Sequence, residues 1–281
     1  MSSSHLKEKL GSIEEIKEII TAMKAFAGFN LQNARRRLPY WRTYQTSIEE
    51  AAGDIVAIFP HLTRIEEPPP AKTLFVLFLS QEGLCGFFNE TLIDFFARLP
   101  KTFYSTVVIG EKGLEEIRAR NLSCERALKG ASTPEAIEAY TVELSAYLHE
   151  LIEKENFAAL RLIYAKHDTD RYEPVDHKVL PPDFSAFHKA SIRKKPLVYL
   201  EGETILQTLI REYLHTSCYG AFLESIASEN QERLNSMIQS EHVIKERVAA
   251  LKLELNALRQ KEITEELLEI VNTYRSMVSK R

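Results

Sequence analysis

The residues best placed to do chemistry lie in the stretch 80–90, "SQEGLCGFFNE", directly behind the apolar run 73–79, "TLFVLFL". A thiol between glycines after a buried strand is a setting for a nucleophile or a phosphate cradle. A nucleophile elbow needs glycine two residues after the nucleophile, and Phe87 stands there. No neighbouring sequence supplies a histidine and an acid to partner Cys85. The phosphate loop G-x-x-x-x-G-K-[ST] and the dinucleotide fingerprint G-x-G-x-x-G are both absent, "IGEKG" at 109–113 being the nearest glycine pair. The stretch therefore reads as a tight strand-to-helix turn. In it Gly83 and Gly86 supply unusual backbone angles, and Cys85 is a small, half-buried filler.

The other reactive side chains assemble nothing. The eight histidines are scattered, and "EHVIKE" around His242 is not H-E-x-x-H. The three cysteines, Cys85, Cys124 and Cys218, form no C-x-x-C pair. That points to neither a zinc site nor a disulfide framework, and to a reducing compartment. Asp168 and Asp170 in "DTD" read as a turn, and Arg35, Arg36 and Arg37 as a solvated basic face. The expectation is no catalytic residue, no cofactor and no metal. A net charge of −4 offers no basic field to nucleic acid, and no apolar run approaches the ~20 residues of a membrane span.

The elements around these residues fall into three zones: 1–65, 66–202 and 203–281. In the first, Ile13, Ile16, Ile20, Met23, Ala27, Asn30, Ala34, Arg37, Trp41, Tyr44, Ile48, Ala51, Ile55 and Ile58 recur in steps of three and four. That is a heptad seam, with Pro39 expected to kink or break the helix. The linker "EEPPPAK" at 66–72 marks a boundary. Beyond it, strands at 73–79, 106–109 and 159–164 alternate with helices at 89–99, 111–121 and 134–154. This pattern predicts an α/β domain with a largely parallel sheet. Residues 168–182 read as polar and irregular, with one short strand at 178–180. The last zone lacks proline and has no glycine after Gly220. Its seam is Leu234, Met237, Glu241, Ile244, Val248, Leu251, Leu255 and Leu258. A helix from 203 to 277 would be ~110 Å long, too long to bury its stripe on a compact domain. The prediction is an α/β fold plus a long antiparallel coiled coil. The N- and C-terminal helices wind together above a small Rossmann-like domain, and the longer C-terminal helix outruns its partner to meet another chain.

The far C-terminus, "ALRQKEITEELLEIVNTY" (257–274), resembles the ending of the γ subunit of F-type ATP synthases, R-Q-x-x-I-T-x-E-L-x-E-I-V. Arg259, Gln260, Ile263, Thr264, Glu266, Leu267, Glu269, Ile270 and Val271 all match. The opening stretch resembles the same family's turn D-[RK]-G-L-C-G-G-L-N at Gly83, Leu84, Cys85, Gly86 and Asn89. "IITAMKAFA" (19–27) and "IASENQERLNSM" (226–237) resemble two further family segments. After Met237 the chain departs, reading "IQSEHVI" where relatives have K-x-A-T-x-N-A, and a G-G-A tail is replaced. These departures suggest a divergent paralogue, as from an alternative rotary ATPase operon.

The resemblance implies a central shaft that couples ion flow to ATP synthesis or hydrolysis on partner β subunits. It implies as partners the α and β subunits of the catalytic hexamer, the ε subunit and the c-subunit rotor ring. It implies contact with the membrane only through partners, at the cytoplasmic face of a bacterial cell membrane. By the same resemblance Met23, Arg259, Gln260 and Thr264 contact the β subunits, while Gly83, Cys85 and Gly86 form a structural turn. The alternative reading is a coiled-coil adaptor that kept the fold and lost the rotary role.

Overall fold

A computed structural model describes residues 3–63, 72–101, 103–155, 157–168, 171–185, 187 and 198–278. Two very long helices open and close the chain: α1 (Ser3–Ile58) and α5 (Gly202–Val278). Between them run β1 (Lys72–Phe78), α2 (Phe88–Arg98), β2 (Tyr104–Ile109), α3 (Glu111–Ala119), β3 (Arg126–Leu128), α4 (Ile137–Lys154), β4 (Phe157–Asp168) and β5 (Arg171–Leu180). The chain divides into two compact units. One comprises residues 27–234, the other residues 1–26 with 235–281. Most of the linker expected at 66–72 lies outside the described residues, as does the second half of "DTD".

The larger unit is built on one five-stranded sheet of order β3-β2-β1-β4-β5. Strands β1, β2, β3 and β4 pair in parallel, as helical crossovers require. Along β1 the side chains alternate faces. Leu74, Val76 and Phe78 enter one core with Leu31, Ala34 and Leu38 of α1, Leu144 and Leu148 of α4, and Phe222 and Ile226 of α5. Phe75 and Leu77 enter the other with Phe88, Leu92 and Phe96 of α2 and Ile117 of α3. A strand buried on both faces cannot show polar alternation, which is why 73–79 reads as a continuous apolar run. Each such large side chain stabilises the unit by roughly 1.5–3 kcal/mol.

Three expectations are corrected here. Residues 171–180, read as irregular, form a full strand antiparallel to β4. β5 is an edge strand, so Pro174 costs no ladder bond there, and one polar side faces water. Arg161 on β4 donates from Nε and Nη2 to the two carboxylate oxygens of Asp176, each at 2.7 Å, a bidentate pair across the two strands. The short β3 was not anticipated at all. Thirdly, α1 continues through Pro39, so of the expected kink or break the break does not occur. The ring removes one backbone donor, but Ala34 and Leu38 before it and Trp41 after it pack into the core and hold the turns on either side.

The seam of α1 is half right. Ile20, Ala27, Ala34, Ile48 and Ile55 are buried as expected. Of the alternate positions Asn30 is buried too, together with its neighbour Leu31, whereas further on Leu38, Gln45 and Ala52 are buried in place of Arg37, Tyr44 and Ala51, and Tyr44 is exposed. In the smaller unit α1 and α5 run antiparallel. Lys24 pairs with Glu241, and Lys252 reaches back to Glu14 at 2.9 Å. Along α5, Met237 and Leu251 are buried and Leu255 and Leu258 half-buried, with solvent-facing residues between, as the seam predicts.

Candidate functional site

The spacing of the two cross-helix ion pairs gives the register of the smaller unit. Ten residues back along α1, from Lys24 to Glu14, correspond to eleven forward along α5, from Glu241 to Lys252. Continued at that pace, the first helical residue, Ser3, lies opposite about residue 263. Beyond that point, among the described residues, no helix faces α5. The burial follows: residues 259–273 are exposed, including Ile263, Leu267, Leu268, Ile270 and Val271. These apolar residues share one broad face of the helix, with Glu265, Glu266, Glu269 and Asn272 on the other; an apolar face with no cover is a surface awaiting a partner.

Of the residues expected to contact a partner, Arg259 and Gln260 lie one turn before this uncovered segment and Thr264 at its start, all three with exposed side chains. The Thr264 hydroxyl donates to the Gln260 carbonyl at 2.7 Å, so it braces the helix itself. Met23 lies elsewhere. It is half-buried beside Lys24, opposite Glu241, about 16 residues or 24 Å along the helix pair from Arg259. The structure therefore brings three of the four together and leaves the fourth apart. Beside Met23 the Glu241 carboxylate sits between Lys24 and Lys245, and hydrogen bonds from these two ammonium groups hold its pKa down to about 2.

The glycine turn lies in the larger unit and is structural. Cys85 is 5% exposed and packs among Phe88, Leu92 and Leu79. Burial pushes its thiol pKa up, the reverse of what a nucleophile needs. Of the two glycines expected to take unusual angles, only Gly86 does, with φ +56°. The second left-handed residue is Leu84, φ 60°, and not Gly83. Gly83 serves through its carbonyl. Arg233 Nε donates to it at 3.2 Å, and Arg233 Nη2 donates to the Glu82 carbonyl at 3.3 Å. Arg233 also pairs with Glu229 one helical turn away at 2.5 Å, both side chains being buried. Asn89 closes the turn from the far side. Its Oδ1 accepts the Ser80 backbone N–H at 2.9 Å, and its Nδ2 donates to Ser80 Oγ and Glu116 Oε1 at 2.7 and 2.9 Å.

The motifs "GLCG" and "SENQER" are thus two halves of one clamp. Sequence reasoning noted both and missed their contact; a Glu and an Arg four apart in a helical stretch was the available signal, and their burial was not legible.

The basic run 35–37 is not a plain solvated face. Arg35 donates from Nε to His167 Nε2 at 3.0 Å and from Nη2 to Gln231 Oε1 at 2.9 Å. Arg37 donates to the Pro134 carbonyl at 2.6 Å and to Glu135 at 3.0 Å. Both cations tie α1 to other elements of the larger unit, and Arg36 alone is exposed to solvent. Among the described residues no group of three or more metal-ligating side chains occurs.

Comparison with known proteins bears on this arrangement. The profile of the family described as ATP synthase matches residues 2–277. Among curated relatives, the ATP synthase gamma chain of Dechloromonas aromatica is 28% identical over 284 residues, covering 96% of this chain and 98% of that one. The ATP synthase gamma chain of Clostridium perfringens is 27% identical, covering 95% of each. Among solved structures, a chain of the Euglena gracilis mitochondrial ATP synthase (OSCP/F1/c-ring) superposes with TM-score 0.70 at 16% identity, covering 98% of this chain and 94% of that one. A chain of the Tetrahymena thermophila mitochondrial ATP synthase central stalk and c-ring superposes with TM-score 0.60 at 21% identity, covering 79% and 99%.

Proposed function

We infer, from the premise that this chain belongs to the ATP synthase family and that its curated relatives are γ chains, that it is the central rotor shaft of an F-type ATP synthase. It couples ion translocation to ATP synthesis or hydrolysis and performs no chemistry itself. In this reading 1–65 and 203–281 are the shaft and 66–202 the body. The catalytic sites are on β subunits of an α and β hexamer, and the body meets the ε subunit and the rotor ring of c subunits. The observation that carries the reading is the uncovered segment of α5 from about residue 263 onward, with its exposed apolar side chains.

The mechanism follows from differential contact. A shaft shifts a catalytic site only by as much as it stabilises one conformation over another. Arg259 and Gln260 offer directional donors for that discrimination, Thr264 stands one turn on, and Met23 supplies a contact lower on the same helix pair. The apolar residues beyond give a surface that a hydrophobic collar can hold while the helix turns. Among the described residues no helix is long and apolar enough to cross a membrane. The complex sits at the cytoplasmic face of a bacterial membrane, with this chain attached through its partners.

The test is co-expression with the α and β subunits, purification through this chain and an ATPase assay. A complex of three α, three β and one copy of this chain, with hydrolysis altered by deleting residues 259–281, is the expected result. Recovery of this chain alone, soluble and without a nucleotide-binding ring, overturns the shaft reading in favour of a free-standing adaptor.

A further inference from the structure

We propose that a cleft in the larger unit is the seat of an arginine side chain presented by a neighbouring subunit; this rests on the assembly inferred above. The cleft, of about 440 Å³, opens between α1 and α5 beside α4. Its floor is Trp41. The indole ring lies over Gly220, where a Cβ would come within 1.9 Å of its Cζ2, and its Nε1 donates to the Thr216 carbonyl at 2.9 Å. The ring is therefore fixed in place, and the missing side chain at Gly220 is what lets it lie down. Tyr44 stands at the wall, its hydroxyl donating to Glu212 Oε1 at 2.7 Å. Tyr40 is 80% exposed at the rim.

The charges in the cleft are not balanced as they first look. Arg37 is spent on the Pro134 carbonyl and Glu135. His215 is turned to Ser145 Oγ, 3.2 Å from its Nδ1. What is left facing the opening is acidic. Glu212 receives one hydroxyl and has a second carboxylate oxygen to offer, and Glu138, 68% exposed at its side chain, pairs among the described residues with His215 Nε2 at the long distance of 3.9 Å. Ring faces with two carboxylates select a planar cation: a guanidinium stacks on the aromatic faces while its N–H groups meet the carboxylates, and an ammonium does only part of this. The open mouth and the exposed Tyr40 fit a side chain arriving on a protein surface, since a small molecule would leave those rings wet.

Two measurements on the full chain and its complex test this. Trp41 is the single tryptophan of the chain, so its fluorescence reports the cleft directly. Titration with N-acetyl-arginine amide is expected to give a saturable change that N-acetyl-citrulline amide does not. Glu212→Gln with Glu138→Gln is expected to weaken it at least fivefold without altering the melting temperature. An equal response to citrulline, or none to either, overturns the proposal whatever the assembly does. In the co-expressed complex, benzoylphenylalanine placed at Tyr40 is expected to photocross-link to an arginine-bearing segment of one neighbouring subunit. An assembled, active complex with no such cross-link overturns the docking while leaving the shaft reading intact. Failure to assemble removes both.

Discussion

Single residues carry two sharp expectations. Gly220 faces the Trp41 ring, so Gly220→Ala forces ring or helix to move and should destabilise the larger unit by about 1–3 kcal/mol in thermal or denaturant melts. The three thiols should differ in native alkylation. Cys85 and Cys218 are buried, the latter pushed up to about 12 by desolvation, while Cys124 is half-exposed. Iodoacetamide should modify Cys124 in the native chain and the other two only on unfolding, followed by mass spectrometry. Cys85 was legible as a filler because no partner for catalysis stands near it in the sequence. The backbone of its turn was not legible. Glycine was the natural choice for a left-handed angle, yet Leu84 takes one while Gly83 lends its carbonyl to Arg233. Nothing local marks a strained leucine, because the clamp that holds this turn comes from 150 residues away.

Among the elements, the helix pair and the clamp make separate predictions. The Glu241 carboxylate has its pKa lowered from 4.5 to about 2 by Lys24 and Lys245. Its contribution is fully present above pH 4.5 and is lost as pH falls toward 2. The stability difference between wild type and Glu241→Gln should therefore be constant above pH 4.5 and shrink across that window, read by circular dichroism melts at each pH. In the clamp, Arg233→Leu leaves Glu229 buried without its cation and should cost about 3–5 kcal/mol. Replacing both members by apolar residues should cost less than the single change, apart from the lost carbonyl contacts at 82 and 83. The α5 seam was readable residue by residue because a single facing helix imposes a heptad. From Leu38 onward the α1 seam shifts by one at alternate positions because that part of α1 lies on a sheet and two helices, which cover a wider stripe. Strand β5 was hidden by Pro174 and its polar side, the marks of an edge.

At the scale of the whole molecule, the uncovered end of α5 should be dispensable for folding and needed for function. Deleting residues 259–281 should leave the melting of the remaining chain within about 1 kcal/mol, since those of its side chains that are described are, apart from the few that brace their own helix, solvent-facing. The same deletion should change coupled hydrolysis in the assembled complex.

A helix held by an apolar stripe alone can creep or roll, because greasy contacts have no preferred direction. Here a guanidinium on α5 is keyed into two carbonyls of a turn that is itself pinned to the sheet by Asn89. It works as a spline does on an axle: torque entering the helix cannot spin it in its bed without shearing directional bonds, and so is delivered to the sheet without slip.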